Sequence, residues 1–479
     1  MTQNSDHYEV IVIGSGPGGY VSAIRCSQLG LKTLCIEKSG KNDKPILGGT
    51  CLNVGCIPSK ALLDSSYKFY QAEKDFISHG ISIEKLSVDL KEMQKRKEKI
   101  VLGLTKGVQG LFKLNRVDSM QGEAIVEAAG QILVKKHDNS RIVLSADNII
   151  IATGSKPIEL PNIPFDQMSI LSSTEALKLE KIPKKLAVIG AGAIGLEIGS
   201  IWSRLGSEVL ILETLKDFLP SVDKQLSSEA LKILTKQGIK IVFGANVQSA
   251  KVKNDEVILH YSDEQGNQEL IVKKLVVAVG RRPSVKNVLG QNSQIDLDDQ
   301  GFIKVNSSCE TNLPGIYAIG DIVSGPKLAH KASEEGLKVA ESIAGESIDI
   351  DYERIPAVIY THPEIAWVGM SEEKAKSNGY QIKTGVFPFS ANARALSSNE
   401  GSGFIKVIVD AKDDSIKGIH IIGPSAADIL QQGLVAMNLN GSAEDVSQTM
   451  FSHPTFSEAL HEATLSVGGK AIHISNRKR

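Results

Sequence analysis

Glu9-Val-Ile-Val-Ile13 runs directly into Gly14-Ser-Gly16-Pro-Gly18-Gly19, and the arrangement returns as Lys185-Leu-Ala-Val-Ile189 followed by Gly190-Ala-Gly192-Ala-Ile-Gly195. Each copy continues as a helical segment closing on Leu29-Gly30 or Leu205-Gly206. A second apolar strand follows (Thr33–Ile36, Glu208–Leu212), then an acid, Glu37 or Glu213. In both copies the acid stands 18 positions beyond the third glycine. A further apolar strand is expected to complete each unit, Asn148–Thr153 before Gly154 and Leu275–Val279 before Gly280.

A glycine-rich turn alone is weak evidence, but strand, turn, helix and acid in this order are what a dinucleotide requires. The first glycine makes the turn, the second lets backbone approach a pyrophosphate, and the third lets helix pack on strand. The pyrophosphate meets the free N–H groups and positive dipole end of the helix. The acid accepts from the adenosine ribose. Two complete units predict two dinucleotides and an α/β chain with two doubly wound (Rossmann-like) domains. Glu213 would repel a 2′-phosphate, and Thr214-Leu215-Lys216 supplies only one cation, so NAD is expected over NADP.

The chain has 479 residues, enough for about three domains. Its formal net charge of −1 provides no field for a nucleic acid or an anionic membrane. No apolar run reaches the roughly 18 residues of a membrane span. The start, MTQNSDHYEV, shows neither a signal peptide nor a transit segment. Five cysteines do not form a secreted disulfide scaffold, so a reducing compartment, a bacterial cytoplasm, is expected. Cys26, Cys35 and Cys309 sit in apolar surroundings and are expected to be buried.

Cys51 and Cys56 stand apart, in Gly48-Gly49-Thr50-Cys51-Leu-Asn-Val-Gly55-Cys56-Ile-Pro58-Ser59-Lys60. They could be structural thiols or half of a metal site, but zinc needs four ligands and no second pair exists. No metal is expected. Five residues apart, the two sulfurs can reach each other across a distorted helical turn, which the flanking glycines permit.

This segment resembles the redox-active disulfide of the pyridine nucleotide–disulfide oxidoreductases. The resemblance covers essentially the whole chain, through Ala318-Ile319-Gly320-Asp321, Leu328-Ala329-His330-Lys331-Ala332, His362-Pro363-Glu364-Ile365-Ala366-Trp367-Val368-Gly369 and His453-Pro454-Thr455-Phe456-Ser457-Glu458. It implies that Cys51 exchanges with a dithiol substrate while Cys56 lies against the ring of FAD. Gly14, Gly16, Gly18, Gly19, Glu37, Lys60, Gly122, Gly154, Asp321 and Ala329 match positions around that flavin. Gly190, Gly192, Gly195, Glu197, Glu213, Val247 and Gly280 match positions around NAD.

It implies further that His453, oriented by Glu458, is the base that deprotonates the substrate, across the interface of a homodimer. The branch most resembled reoxidises the dihydrolipoyl groups of 2-oxo-acid dehydrogenase or glycine-cleavage complexes. No lipoyl domain precedes Tyr8, so the lipoyl arm is expected on a separate acyltransferase or H-type protein. Another NAD(P)H-dependent disulfide reductase of the family is the alternative, although this chain has no thiol after Cys309. A flavin-binding docking subunit is the non-catalytic reading.

Residues 1–155 are expected to form the FAD-binding domain, completed by 284–355. Residues 156–283 would form the NAD-binding domain and 356–479 a C-terminal α+β dimerisation domain, with prolines at 157, 164, 283 and 356 near the boundaries. The charge-rich run Leu86–Leu111 is expected to be a solvated helix.

Overall fold

The computed structural model describes residues 7–41, 43–346 and 348–476. The first six residues of the segment read for targeting signals, and the last three of the chain, lie outside the described residues. The fold divides into two compact units. The first comprises the chain through Ala61 with Lys91–Ile158 and Gly280–Ile350, and the second comprises Leu62–Leu90, Glu159–Val279 and Asp351 onward.

The first unit is built on His7–Ile13. Its Val10–Ile13 run is buried on both sides, as a central parallel strand requires. Thr33–Glu37 and Arg141–Ile151 flank it in parallel, with Ile13 opposite both Ile36 and Ile151. Asp118–Gln121 and Ile316–Ala318 extend the parallel sheet, while Gln131–Lys135 and Glu123–Ala128 add an antiparallel edge. Side chains alternate between two cores: Ile11 and Ile13 join Ile149, Ile151 and Ile316, whereas Val10 and Val12 join Ala23, Cys26, Cys35 and Val339. All three cysteines outside the 51–56 segment are buried, as expected.

The helix Pro17–Gln28 packs closely on Ala329–Ile343. A Cβ at Gly18 would lie 2.9 Å from the Ala332 carbonyl oxygen, and one at Gly336 would lie 2.7 Å from that of Gly18. Gly18 therefore lets two backbones meet.

The expected solvated helix spans Leu90–Leu114, but it is amphipathic. Leu90, Gln94, Lys97, Thr105, Val108 and Phe112 are buried, while Leu102 and Leu111 are exposed. The three-and-four spacing of the buried set outweighed the run's charge content, which had suggested full solvation.

In the second unit, Lys185–Ile189 lies at the centre of a five-stranded parallel sheet. Glu208–Leu212 and Lys240–Val242 are on one side, Lys274–Val277 and Ile170–Leu171 on the other. The chain from Asn246 to Val272 forms a three-stranded antiparallel meander. After Ile355 a separate five-stranded antiparallel sheet appears, ordered Ala357–Ile359, Glu364–Gly369, Ile416–Gly423, Phe404–Asp410, Ile382–Pro388. Helices Ala426–Asn438 and Glu458–Val467 close its core through Ile429, Leu430, Leu434, Leu460 and Ala463. The two expected glycine units thus each end in a parallel sheet, with α+β structure after them. Among the described residues no helix is long and apolar enough to cross a membrane.

Candidate active site

Gly48 and Gly49 both take left-handed φ values, +103° and +61°, which a side chain would resist. That bend seats the cysteine segment on the first glycine turn: Gly48 N–H donates to the Ser15 carbonyl at 2.9 Å, and a Cβ at Gly49 would lie 2.5 Å from Gly16 Cα. A short helix, Gly49–Val54, carries Cys51. Gly55 breaks it, and Cys56 opens the long helix Cys56–Lys74. The two cysteines are disulfide-bonded, with Cα atoms 4.7 Å apart.

The helix dipole at Cys56 favours the thiolate formed when this bond is cleaved. Asn53, unnoticed in the sequence, fixes the loop: its Nδ2 donates to the carbonyls of Leu47 and Gly49 at 3.0 and 2.9 Å, and its Oδ1 accepts from Thr105. An asparagine inside a glycine-flanked helical turn was the available signal. Lys60 lies one turn beyond Cys56 and is half-buried.

The two glycine turns are copies in geometry as well as in sequence. Gly14 and Gly190 have φ of +98° and +102°, and their N–H groups donate to Ile36 and Leu212 at 2.8 Å in each case. A Cβ at the third glycine, Gly19 or Gly195, would fall 1.9 or 2.0 Å from the first glycine's carbonyl oxygen. At the second, Gly16 or Gly192, a Cβ would meet nothing within 4 Å.

The acids match too. Glu37 Oε2 accepts from Ser15 N at 2.9 Å and Oε1 from Ser39 N at 2.8 Å; Glu213 accepts from Ala191 N at 2.7 Å and Leu215 N at 2.9 Å. Each acid thereby ties its strand end to the turn. Neither glycine helix has a side-chain cap or an acid in its first turn. Helix N-termini without side-chain caps, space at the second glycine and a carboxylate tied to the turn fit the diphosphate and ribose of FAD and NAD.

In the first unit a further chain of contacts converges on Asp321. Its carboxylate accepts from Ser155 Oγ, and Ser155 in turn accepts from Arg281 through Oγ (2.7 Å) and its carbonyl (2.6 Å). Burial draws the Arg281 guanidinium below its usual value, and Asp321 opposes that shift. The preceding peptide is clamped: Gly320 N–H donates to Glu335 Oε2 at 2.7 Å, and Lys331 Nζ donates to the Gly320 carbonyl at 3.3 Å. Lys331 and Glu335 form a fully buried ion pair at 2.9 Å. Ala329 opens their helix, again without a side-chain cap. Gly154 (φ +69°) accepts from Ser284 N–H, and Gly280 (φ +113°) from Ile158 N–H. Gly122 N–H donates to the Glu37 carbonyl.

In the second unit Glu197 is buried, and its Oε1 accepts from Tyr360 N–H at 3.0 Å. Val247 lies in the meander opposite Tyr261. His453 is largely exposed. Its Nδ1 is 2.9 Å from Glu458 Oε1, and Glu458 Oε2 accepts from Thr455 N–H at 2.8 Å. Burial pushes the Glu458 carboxyl up, but the Thr455 and His453 bonds outweigh it and hold it below the usual carboxylate range.

Comparison with known proteins adds three findings. Residues 8–336 match the family described as pyridine nucleotide–disulphide oxidoreductase, and residues 355–464 match its dimerisation domain. A dihydrolipoyl dehydrogenase from Cupriavidus necator is 44% identical, covering 98% of this chain and all of the relative; mitochondrial dihydrolipoyl dehydrogenase 1 of Arabidopsis thaliana is 43% identical, covering 99% and 93%. Among solved structures, the HOCl-induced flavoprotein disulfide reductase RclA from Escherichia coli superposes with a TM-score of 0.84 at 26% identity, covering 95% of this chain and 99% of that one.

Proposed function

This chain belongs to the pyridine nucleotide–disulphide oxidoreductases, and on that premise we propose how its residues divide the work of an FAD- and NAD-dependent enzyme that reoxidises dihydrolipoyl groups. The bonded Cys51–Cys56 pair, seated on the first glycine turn, is the observation that carries the reading. When bound at the two glycine turns, FAD and NAD would supply the two-electron redox chemistry that carries reducing equivalents away from the cysteines.

The chain's own residues do the rest. His453 takes a proton from one substrate thiol, because only the thiolate attacks a disulfide. That sulfur bonds to Cys51, the Cys51–Cys56 bond breaks, and Cys56 leaves as a thiolate at a helix N-terminus. The second substrate sulfur then displaces Cys51, so the substrate departs as a disulfide and both cysteines are reduced. Glu458 holds the tautomer in which His453 Nε2 is the acceptor. Lys60 supplies positive charge one turn from Cys56.

We assign the first glycine turn, with Glu37, Gly122, Gly154, Asp321 and Ala329, to FAD. The second, with Glu197, Glu213, Val247 and Gly280, is assigned to NAD. Domain limits of 1–155 with 284–355, 156–283 and 356–479 go with this division. The chain is a homodimer, and we place His453 of each chain beside the disulfide of the other. Lipoyl domains of a separate acyltransferase or an H-type protein are the proposed partners. The buried, unbridged thiols fit a reducing cytoplasm.

Formation of NADH from dihydrolipoamide and NAD tests the assignment. Cys51→Ser and Cys56→Ser should each abolish it while leaving the protein yellow; sustained turnover by either variant would overturn the reading.

A further inference from the structure

We propose that the second unit carries a binding site for a small oxyanion, a phosphate or a carboxylate, in the cavity of about 340 Å³ walled by Tyr70, Ser200, Ser203, Arg204 and Gln237. This site goes beyond the redox reading and does not depend on it.

The second glycine helix, Ala193–Arg204, brings Ser200, Ser203 and Arg204 to one face by its own period. Arg204 is its last residue, where a cation is favoured by the helix dipole. A guanidinium serving only that purpose would donate to the last carbonyls. Instead it lies over the Tyr67 ring, 5.4 Å from the centroid, and its buried Nη2 has no hydrogen-bond partner. Ser200 Oγ, four residues earlier, is likewise buried and unpartnered. Two stranded donors thus sit on residues that line one cavity.

Charge makes the same case. Among the described residues no carboxylate pairs with Arg204. Burial lowers its pKa only to about 10, so it stays charged at neutral pH. His362, stacked on Tyr67 with centroids 3.6 Å apart, is brought down to about 3 by burial first and by Arg204 second. Of the nearby acids, Glu73 is half-exposed and 3.3 Å from Lys74, and burial pushes Glu400 up. The guanidinium is therefore an uncompensated cation, and a planar fork of donors suits an oxyanion. Phe69, Leu205 and Ile239 add apolar wall, and the Glu73–Lys74 pair lines the cavity as well.

The experiment uses the FAD-loaded dimer with NAD at saturation, so that both glycine turns are occupied. Thermal unfolding is followed as chloride is replaced by phosphate, or by acetate, at constant ionic strength. The midpoint should rise and saturate with one of the two, as for any ligand that binds only the folded state. A rise with phosphate alone assigns the site to phosphate, and a rise with acetate alone assigns it to carboxylates. Arg204→Lys should weaken the response about tenfold, since it keeps the charge but loses the fork. Ser200→Ala should weaken it less and serves if the arginine variant folds poorly. No difference from chloride in the wild type, or an undiminished rise in both variants, would overturn the site.

Discussion

Glu458 touches His453 with one carboxylate oxygen and the Thr455 amide with the other, so a single side chain sets both the imidazole and the turn that carries it. Replacing His453 with Gln should lower turnover by about 10²–10⁴, the usual scale for losing a general base. Glu458→Gln should cost less, because the base remains but the ring loses the carboxylate that fixes its orientation. Since the Glu458 pKa is depressed on folding, its stabilising contribution is present above the unfolded value and lost as pH falls through the folded one. Unchanged turnover in Glu458→Gln would mean that the carboxylate does not act through the ring.

Gly16 and Gly19 should respond differently to the same methyl group. Gly19→Ala drives a Cβ to 1.9 Å from the Gly14 carbonyl oxygen and should prevent correct folding of the turn. Gly16→Ala meets nothing in the protein, so stability without cofactor should change by no more than about 0.5 kcal/mol. That methyl nevertheless occupies the space before the helix, and the purified protein should be depleted of flavin. Visible absorbance and urea unfolding separate the outcomes, and full flavin in Gly16→Ala would show that the space is not a cofactor cradle.

The Lys331–Glu335 pair is buried on both sides and clamps the peptide before Asp321. Removing one partner strands the other charge, which costs about 3–5 kcal/mol in such settings. Glu335→Leu and Lys331→Met should each show that loss in denaturant titrations. The double variant should recover much of it, and simple additivity of the two losses would argue against direct coupling.

His362 has a folded pKa of about 3 against an ordinary 6.5. Between those values the unfolded chain binds the extra proton, so stability is full above 6.5 and declines as pH falls toward 3. Taking the wild type from neutral pH to about pH 5 should cost about 2 kcal/mol more than it costs His362→Gln. Equal acid sensitivity in urea titrations would mean that His362 is not buried in its neutral form.

The parts legible in the sequence were those set by local repetition. Gly14–Gly19 and Gly190–Gly195 carry their context within about thirty residues, and the 51–56 spacing is short enough to read as one turn. His453 and Glu458 are similarly close. What escaped reading depends on contacts between distant segments. Lys331 and Glu335 look like an ordinary exposed i, i+4 pair until the helix is packed against Gly320. Glu37 and Glu213 read as ribose ligands, yet each also accepts the amides of its own turn. Gly18 read as part of the cradle, and its lack of a side chain also admits the Ala332 backbone. Tyr67 and His362 are nearly three hundred positions apart, and no periodicity links them.

The burial of Cys26, Cys35 and Cys309 has a practical side. Burial drives the first of these thiols up to about 12 and the second well above its ordinary value. A maleimide dye added to the native oxidised protein should therefore find no reactive sulfur, and after one equivalent of reductant it should find two. The chain's own redox state can be counted by labelling, with nothing engineered away to clear the background.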